Sequence, residues 1–122
     1  MKILVVDDSS MSRRMLRKIL QSEGHEIVEA KDGMSAIELY FLDRPDLVTL
    51  DLVMEGMDGL EVLAQLLQLD KSAQVIIASA DIQKLTREEA MRGGAKAFIN
   101  KPFASTNVLE AVNTVLRGSV CY

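Results

Sequence analysis

The chain has 122 residues, 48% of them apolar and 26% charged, with a formal net charge of -4. That length suits one domain with its own core and argues against two domains or a need for metal or disulfide support. The apolar content excludes a disordered chain, and the mild acidity leaves no electrostatic footprint for nucleic acid.

Ile3 to Val6 (ILVV) is a continuous apolar run, the pattern of a strand buried on both faces. Ser9 or Ser10 can cap the helix that follows. Met11, Met15, Leu16, Ile19 and Leu20 recur at helical spacing until Gly24 stops the helix. Glu26 to Ala30 (EIVEA) reads as a weaker second strand, and Asp32-Gly33 as a turn. Ser35 and Glu38 have capping-box spacing for a helix that can begin earlier; Ala36, Ile37, Leu39, Tyr40 and Leu42 are its apolar content. Pro45 breaks it. Leu47 to Leu50 (LVTL) is the third strand and delivers Asp51. Gly56 gives the next loop access to unusual backbone angles.

Asp58 and Glu61 have N-cap and N3 spacing, and Leu60, Leu63, Leu66 and Leu67 form a third helical stripe. Ala73 to Ala78 (AQVIIA) is the fourth strand, ending at Ser79. Thr86 and Glu89 are capping candidates for a short helix that Gly93-Gly94 ends. Lys96 to Ile99 (KAFI) is the fifth strand, and Val108, Leu109, Val112, Val115 and Leu116 mark the last helix. Strands alternating with helices through short loops predict an α/β fold, a parallel sheet with helices on both faces. Residues 1–118 form the expected domain and 119–122 a frayed tail.

Several residues have bland expectations. Cys121 is the sole cysteine, so no internal disulfide forms and a reducing compartment fits. Ile3 to Val6 is too short for a signal peptide, and no run approaches the roughly 20 apolar residues of a spanning helix. The expected location is cytoplasmic, without membrane insertion. Arg13, Arg14, Arg17 and Lys18 read as a solvated helix face. His25 reads as a surface turn residue, and Met54 and Met57 as packing.

The polar residues at the strand ends carry the chemistry. Asp7-Asp8, Asp51, Ser79 and Lys101-Pro102 all fall where ligands bind in such sheets, beyond the carboxyl ends of the strands. Singly, an Asp there caps a helix, a Ser makes a turn and a Lys is solvated. Together they are three carboxylates, a hydroxyl and an ammonium at one edge. Packed carboxylates repel one another, and a hard cation such as Mg²⁺ relieves that with oxygen ligands. Asp51 is the choice for nucleophile. Lys101 and Ser79 can neutralise and bond a transferred phosphoryl group, whose chemistry needs alignment and charge stabilisation. Pro102 can fix how Lys101 enters, although residue type alone does not favour a cis Lys101–Pro102 bond.

VVDDS (Val5 to Ser9), TLDLVMEGMDG (Thr49 to Gly59), ASA (Ala78 to Ala80) and AKAFINKPF (Ala95 to Phe103) resemble the receiver domain of bacterial response regulators, in its single-domain, CheY-like form. The resemblance runs through the last helix. It implies a flavodoxin-like (βα)5 three-layer sandwich with sheet order 2-1-3-4-5. It implies Asp51 as phosphoacceptor, and Asp7 and Asp8 as the acidic pair for Mg²⁺, with Asp8 the more direct ligand. Mn²⁺ or Ca²⁺ can substitute. Val53 matches the position whose backbone carbonyl binds the metal. Ser79 matches the family hydroxyl, Lys101 the lysine before a cis-proline at Pro102, and Phe98 the aromatic switch position. The implied partners are a sensor histidine kinase as donor, a phosphatase, and a downstream protein target such as a flagellar motor or another regulator. Output would run through the fourth helix, fifth strand and fifth helix, within Gln83 to Arg92, Lys96 to Ile99 and Ser105 to Arg117.

Two positions depart from the pattern. Glu55 stands where the family usually has proline, which implies a looser loop, and it can reach the metal or its waters. Phe98 replaces the commoner tyrosine and lacks a phenolic hydrogen bond.

The leading expectation is a phosphorylation-controlled switch with self-phosphorylation and slow self-dephosphorylation. A metal-dependent phosphohydrolase is an alternative, but Val53 stands where such an enzyme wants a second acid. An inert docking scaffold is another, opposed by the intact Asp7, Asp8, Asp51 and Lys101. A nucleotide site is weaker, because neither GxGxxG nor GxxxxGK[ST] occurs.

Overall fold

The continuous apolar runs become the inner strands because each offers apolar side chains to both faces of a sheet. The computed structural model describes residues 1–54, 56, 58–80 and 84–118. In chain order the elements are β1 (Lys2–Val6), α1 (Ser10–Gln21), β2 (Glu26–Ala30), α2 (Gly33–Asp43), β3 (Leu47–Leu50), α3 (Gly59–Leu69), β4 (Val75–Ser79), α4 (Lys84–Arg92), β5 (Ala97–Asn100) and α5 (Ser105–Leu116). The strands form one parallel sheet ordered β2-β1-β3-β4-β5. This is the expected (βα)5 flavodoxin-like sandwich.

Period-two alternation splits the strand side chains between two cores. Leu4, Val6, Val48, Leu50, Val75 and Ile77 face α2, α3 and α4, where Ala36, Tyr40, Val62, Leu63, Leu66 and Ala90 meet them. Ile3, Val5, Leu47, Ile76, Ala97 and Ile99 face the other way, onto Leu16 and Leu20 of α1 and Val108, Ala111, Val112 and Val115 of α5. Thr49 lies buried on β3, and its Oγ1 has no hydrogen-bond partner among the described residues.

Local chemistry corrects some boundaries. Ser9, the expected cap, accepts from the Ser12 amide at 3.2 Å. Asp32, not Ser35, caps α2: its Oδ1 accepts from the Ser35 amide at 2.7 Å. Asp58 caps α3 as expected, accepting from the Leu60 amide. Thr86 lies inside α4, which starts two residues earlier. The fourth strand begins at Val75, because the Ala73 amide is turned back onto the Asp70 carbonyl. At its other end it includes Ser79, paired with Asn100 of the fifth strand. The fifth is Ala97–Asn100, although the Lys96 amide already donates to the Val75 carbonyl.

The surface expectations for side chains also need correction. His25 is half-buried, and its Nδ1 is buried without a partner among the described residues. Arg14 and Lys18 are exposed, whereas Arg13 and Arg17 both pair with Glu29. Met54 packs against the core, while Glu55, Met57, Gln83 and 119–122 lie outside the described residues.

A polar clasp ties α2 to the end of α3. The buried Tyr40 hydroxyl donates to Asp70 Oδ2 at 2.8 Å. The Ser72 hydroxyl and amide donate to Oδ1 at 2.6 and 2.9 Å. Bonds from Ser72 and then Tyr40 hold the Asp70 carboxyl below its ordinary value, while burial and Asp70 push the Tyr40 phenol up. Tyr40→Phe is expected to cost about 1 kcal/mol, the usual net worth of one such bond. A depressed carboxylate adds stability that is present above its unfolded value, 3.8, and lost as pH falls through the folded value. Tyr40→Phe should therefore lose less stability than the parent on acidification below that point. Urea unfolding at neutral pH and across the acid range checks both effects.

Candidate functional site

The chain leaves β1 for β2 on one side and returns as β3 on the other. That reversal of strand order opens a crevice beyond the carboxyl ends of β1 and β3. Asp7 and Asp8 follow β1, Asp51 follows β3, Ser79 ends β4 and Lys101 follows β5. The ladder continues past the strands and fixes these ends. The Asp7 amide donates to the Ala30 carbonyl at 3.1 Å, Asp51 to Val6 at 3.0 Å, and Lys101 to Ser79 at 3.1 Å.

Asp51 is the hub. It is buried, with 4% of its surface exposed. Its Oδ1 accepts from Ser79 Oγ at 2.6 Å and from the Val53 amide at 3.0 Å. Its Oδ2 accepts from Lys101 Nζ at 3.0 Å. Lys101 also bridges to Asp7 Oδ2 at 2.8 Å. The other Asp7 oxygen accepts from the Ser9 amide at 2.9 Å. Asp7 is buried and Asp8 exposed. Burial pushes the Asp7 carboxyl up, despite the bonds from Lys101 and Ser9 that favour its charged form. Burial works against the Lys101 ammonium too, but its bonds to Asp7 and Asp51 outweigh that and hold it above its ordinary value.

The three carboxylates each place an oxygen within 4.8 Å of the others. One ammonium leaves this group with excess negative charge. An all-oxygen anionic set of this size suits a hard divalent cation. Asp7, Asp8 and Asp51 are thus a candidate metal site, with a donor set that fits.

The remaining expected residues are Val53, Pro102 and Phe98. Val53 is exposed, and its amide, as described above, touches Asp51. The Lys101–Pro102 peptide bond is cis. Phe98 is half-buried on β5, with the Arg87 guanidinium of α4 4.9 Å from its ring centroid. Sequence reasoning missed that contact. It also missed Arg13, whose Nη1 donates to the Asp7 carbonyl at 2.6 Å. Helical periodicity places Arg13 on α1 but cannot say which strand-end carbonyl its long side chain reaches.

Comparison with known proteins decides the family. A family model for the response regulator receiver domain matches residues 3–113. The chain belongs to the response regulator receiver family. This receiver is similar to the chemotaxis protein CheY of Bacillus subtilis, with 44% identity over 116 residues, covering 94% of this chain and 97% of that one. Sporulation initiation phosphotransferase F of the same organism is 35% identical over 115 residues, covering 94% and 93%. A solved two-component response regulator of the LuxR family, from Aurantimonas sp. SI85-9A1, superposes with a TM-score of 0.93 at 27% identity, covering 99% of this chain and 88% of that one. The receiver is accordingly a phosphoacceptor of two-component signalling, a family that works with histidine kinases and downstream regulators. No helix among the described residues is long and apolar enough to cross a membrane.

The Lys101 geometry yields a sharp expectation. Lys101→Met leaves buried Asp7 and Asp51 facing each other without their shared cation. Breaking such a pair from one side is strongly destabilising, here about 3 kcal/mol without divalent metal. The same change removes a positive charge from the cation site. Mg²⁺ should therefore bind more tightly to the variant and recover much of the loss. Urea unfolding with Mg²⁺ and with EDTA checks this.

Proposed function

We propose that Asp51 is the phosphoacceptor, with Asp7 and Asp8 holding Mg²⁺, Asp8 more directly. The convergence of Ser79 Oγ and Lys101 Nζ on the two oxygens of Asp51 carries this reading. An Asp51 carboxylate oxygen attacks phosphorus of a phosphohistidine. The new O–P bond makes an acyl phosphate, the P–N bond breaks, and its electron pair returns to the imidazole. With acetyl phosphate as donor, acetate leaves instead. Hydrolysis reverses the state: water attacks, inorganic phosphate leaves, and the Asp51 carboxylate is restored.

Lys101 and Ser79 do the local work. The Lys101 ammonium turns from Asp51 to the incoming phosphoryl oxygens, offsetting charge as it builds. Ser79 Oγ, already donating toward Asp51, can donate to a phosphoryl oxygen. Asp7, Asp8, Asp51 and the Val53 carbonyl would hold a divalent cation, which would supply further neutralisation of phosphoryl charge. Withdrawal of Ser79 toward the phosphoryl group lets Phe98 change rotamer. Phosphorylation thus shifts a two-state equilibrium at the face of α4, β5 and α5.

The likeness to CheY favours a chemotaxis pathway in the cytoplasm, with a sensor histidine kinase as donor and a motor or another regulator as target. A phosphatase completes the cycle. Residues 1–118 constitute the receiver in this reading. A phosphohydrolase is disfavoured by Val53, and an inert scaffold by the assembled site. The test is intact mass after incubation with acetyl phosphate, with Mg²⁺ and then with excess EDTA. One base-labile phosphoryl adduct that needs Mg²⁺ supports the switch. Its absence, with Mg²⁺ binding confirmed, counts against phosphorylation from small donors.

A further inference from the structure

We infer that Arg13 is a positioning residue for the acidic turn, setting the angle between the carboxylates of Asp7 and Asp8. The inference rests on the reading of that pair as a cation site. Arg13 Nη1 donates to the Asp7 carbonyl at 2.6 Å, and Arg13 Nε to Glu29 Oε1 at 3.1 Å. Glu29 belongs to β2, and its other oxygen is held by Arg17 Nε at 2.7 Å. Arg13 is therefore anchored to the sheet rather than loose on α1. Only 17% of its side chain is exposed.

The accepting carbonyl lies in the planar peptide unit that joins Asp7 to Asp8. Rotation of that plane would swing the Asp8 carboxylate relative to that of Asp7. One edge of the turn is already fixed where the Asp7 amide meets the Ala30 carbonyl. Arg13 fixes the next peptide, and both tethers lead back to β2. A turn free to rotate would have to be ordered when the cation binds, at the expense of affinity.

Charge and position predict opposite signs, which makes the inference testable. As a bare positive charge, Arg13 would repel a cation, so its removal would tighten binding. As a tether, its removal loosens binding. The chain has no tryptophan, so Mg²⁺ dissociation constants are best read from amide chemical shifts in the full chain. Arg13→Ala is expected to weaken Mg²⁺ binding about tenfold, as loss of supporting contacts does at other metal sites. Arg13→Lys keeps the charge but cannot span both partners with one fork, and should fall between. Arg17→Ala leaves the Asp7 carbonyl bond in place and should stay near the parent. Urea unfolding without Mg²⁺ separates stability from affinity. Should Arg13→Ala not fold, Arg13→Lys against Arg17→Ala carries the comparison.

Unchanged or tighter binding in Arg13→Ala overturns the inference, as does equal weakening in Arg17→Ala. Where Arg13→Ala does not fold, Arg13→Lys binding no more weakly than Arg17→Ala overturns it as well. A parent chain that binds no Mg²⁺ overturns the cation reading with it.

Discussion

Asp51→Asn is expected to abolish the phosphoryl adduct while leaving the fold intact. The carboxamide fills the same space and can still accept from Ser79, but it is no longer an anionic nucleophile. Intact mass after incubation with acetyl phosphate and Mg²⁺ should show no adduct. Removing one of three clustered carboxylates also relieves their repulsion, so the metal-free variant should be at least as stable as the parent. Mg²⁺ should stabilise it less. For the parent, Mg²⁺ at ten times its dissociation constant adds about 1.4 kcal/mol by mass action, and that gain should shrink in the variant. An adduct of undiminished yield would place the acceptor elsewhere and sink the assignment.

Gly59→Ala is expected to damage both stability and phosphorylation. Gly59 opens α3, where alanine would normally improve helix propensity by up to about 1 kcal/mol. Here a Cβ would run into the Cα of Leu52 and lie 2.8 Å from the Asp51 carbonyl oxygen and 2.9 Å from that of Leu52. All three contacts are backbone, so no side chain can swing away. Either α3 lifts from the core or the strand-end peptide of Asp51 moves. Overpacking of this kind costs about 1–3 kcal/mol, and the backbone contacts place Gly59→Ala at the upper end. Asp51 shares the displaced segment, so phosphorylation should slow even where the protein remains folded. Gly24→Ala is the control. Its φ of 84° strains an alanine, but nothing lies within 4 Å of its Cβ. It should lose some stability and keep the parent's phosphorylation rate. Urea unfolding and the initial rate of adduct formation separate the two variants. A Gly59→Ala chain that phosphorylates at the parent's rate would show that the helix, not the site, gives way.

The uneven legibility of the chain has physical causes. β3 matches its apolar run because a strand buried on both faces leaves little choice of side chain, whereas the edge strand β2 keeps charged residues at Glu26 and Glu29. The start of β4 was less legible because Ala73 is as apolar as its neighbours, and only the Asp70 turn excludes it from the strand. The cap of α2 went to Asp32 because its carboxylate could reach the Ser35 amide, a choice between two good capping residues that spacing does not settle.

By itself the sequence determined the alternation of strands and helices, and with it which polar residues stand at strand ends. Short-range spacing is enough for that, because side-chain period follows directly from backbone geometry. Motif resemblance added the roles expected of them. Only the tertiary structure decided that Lys101 bridges Asp7 and Asp51, that Gly59 leaves no room above Leu52, and that Arg13 reaches both Glu29 and the Asp7 carbonyl. Those contacts join residues on different elements. Their distances depend on how strands pair and helices pack, which local periodicity does not encode.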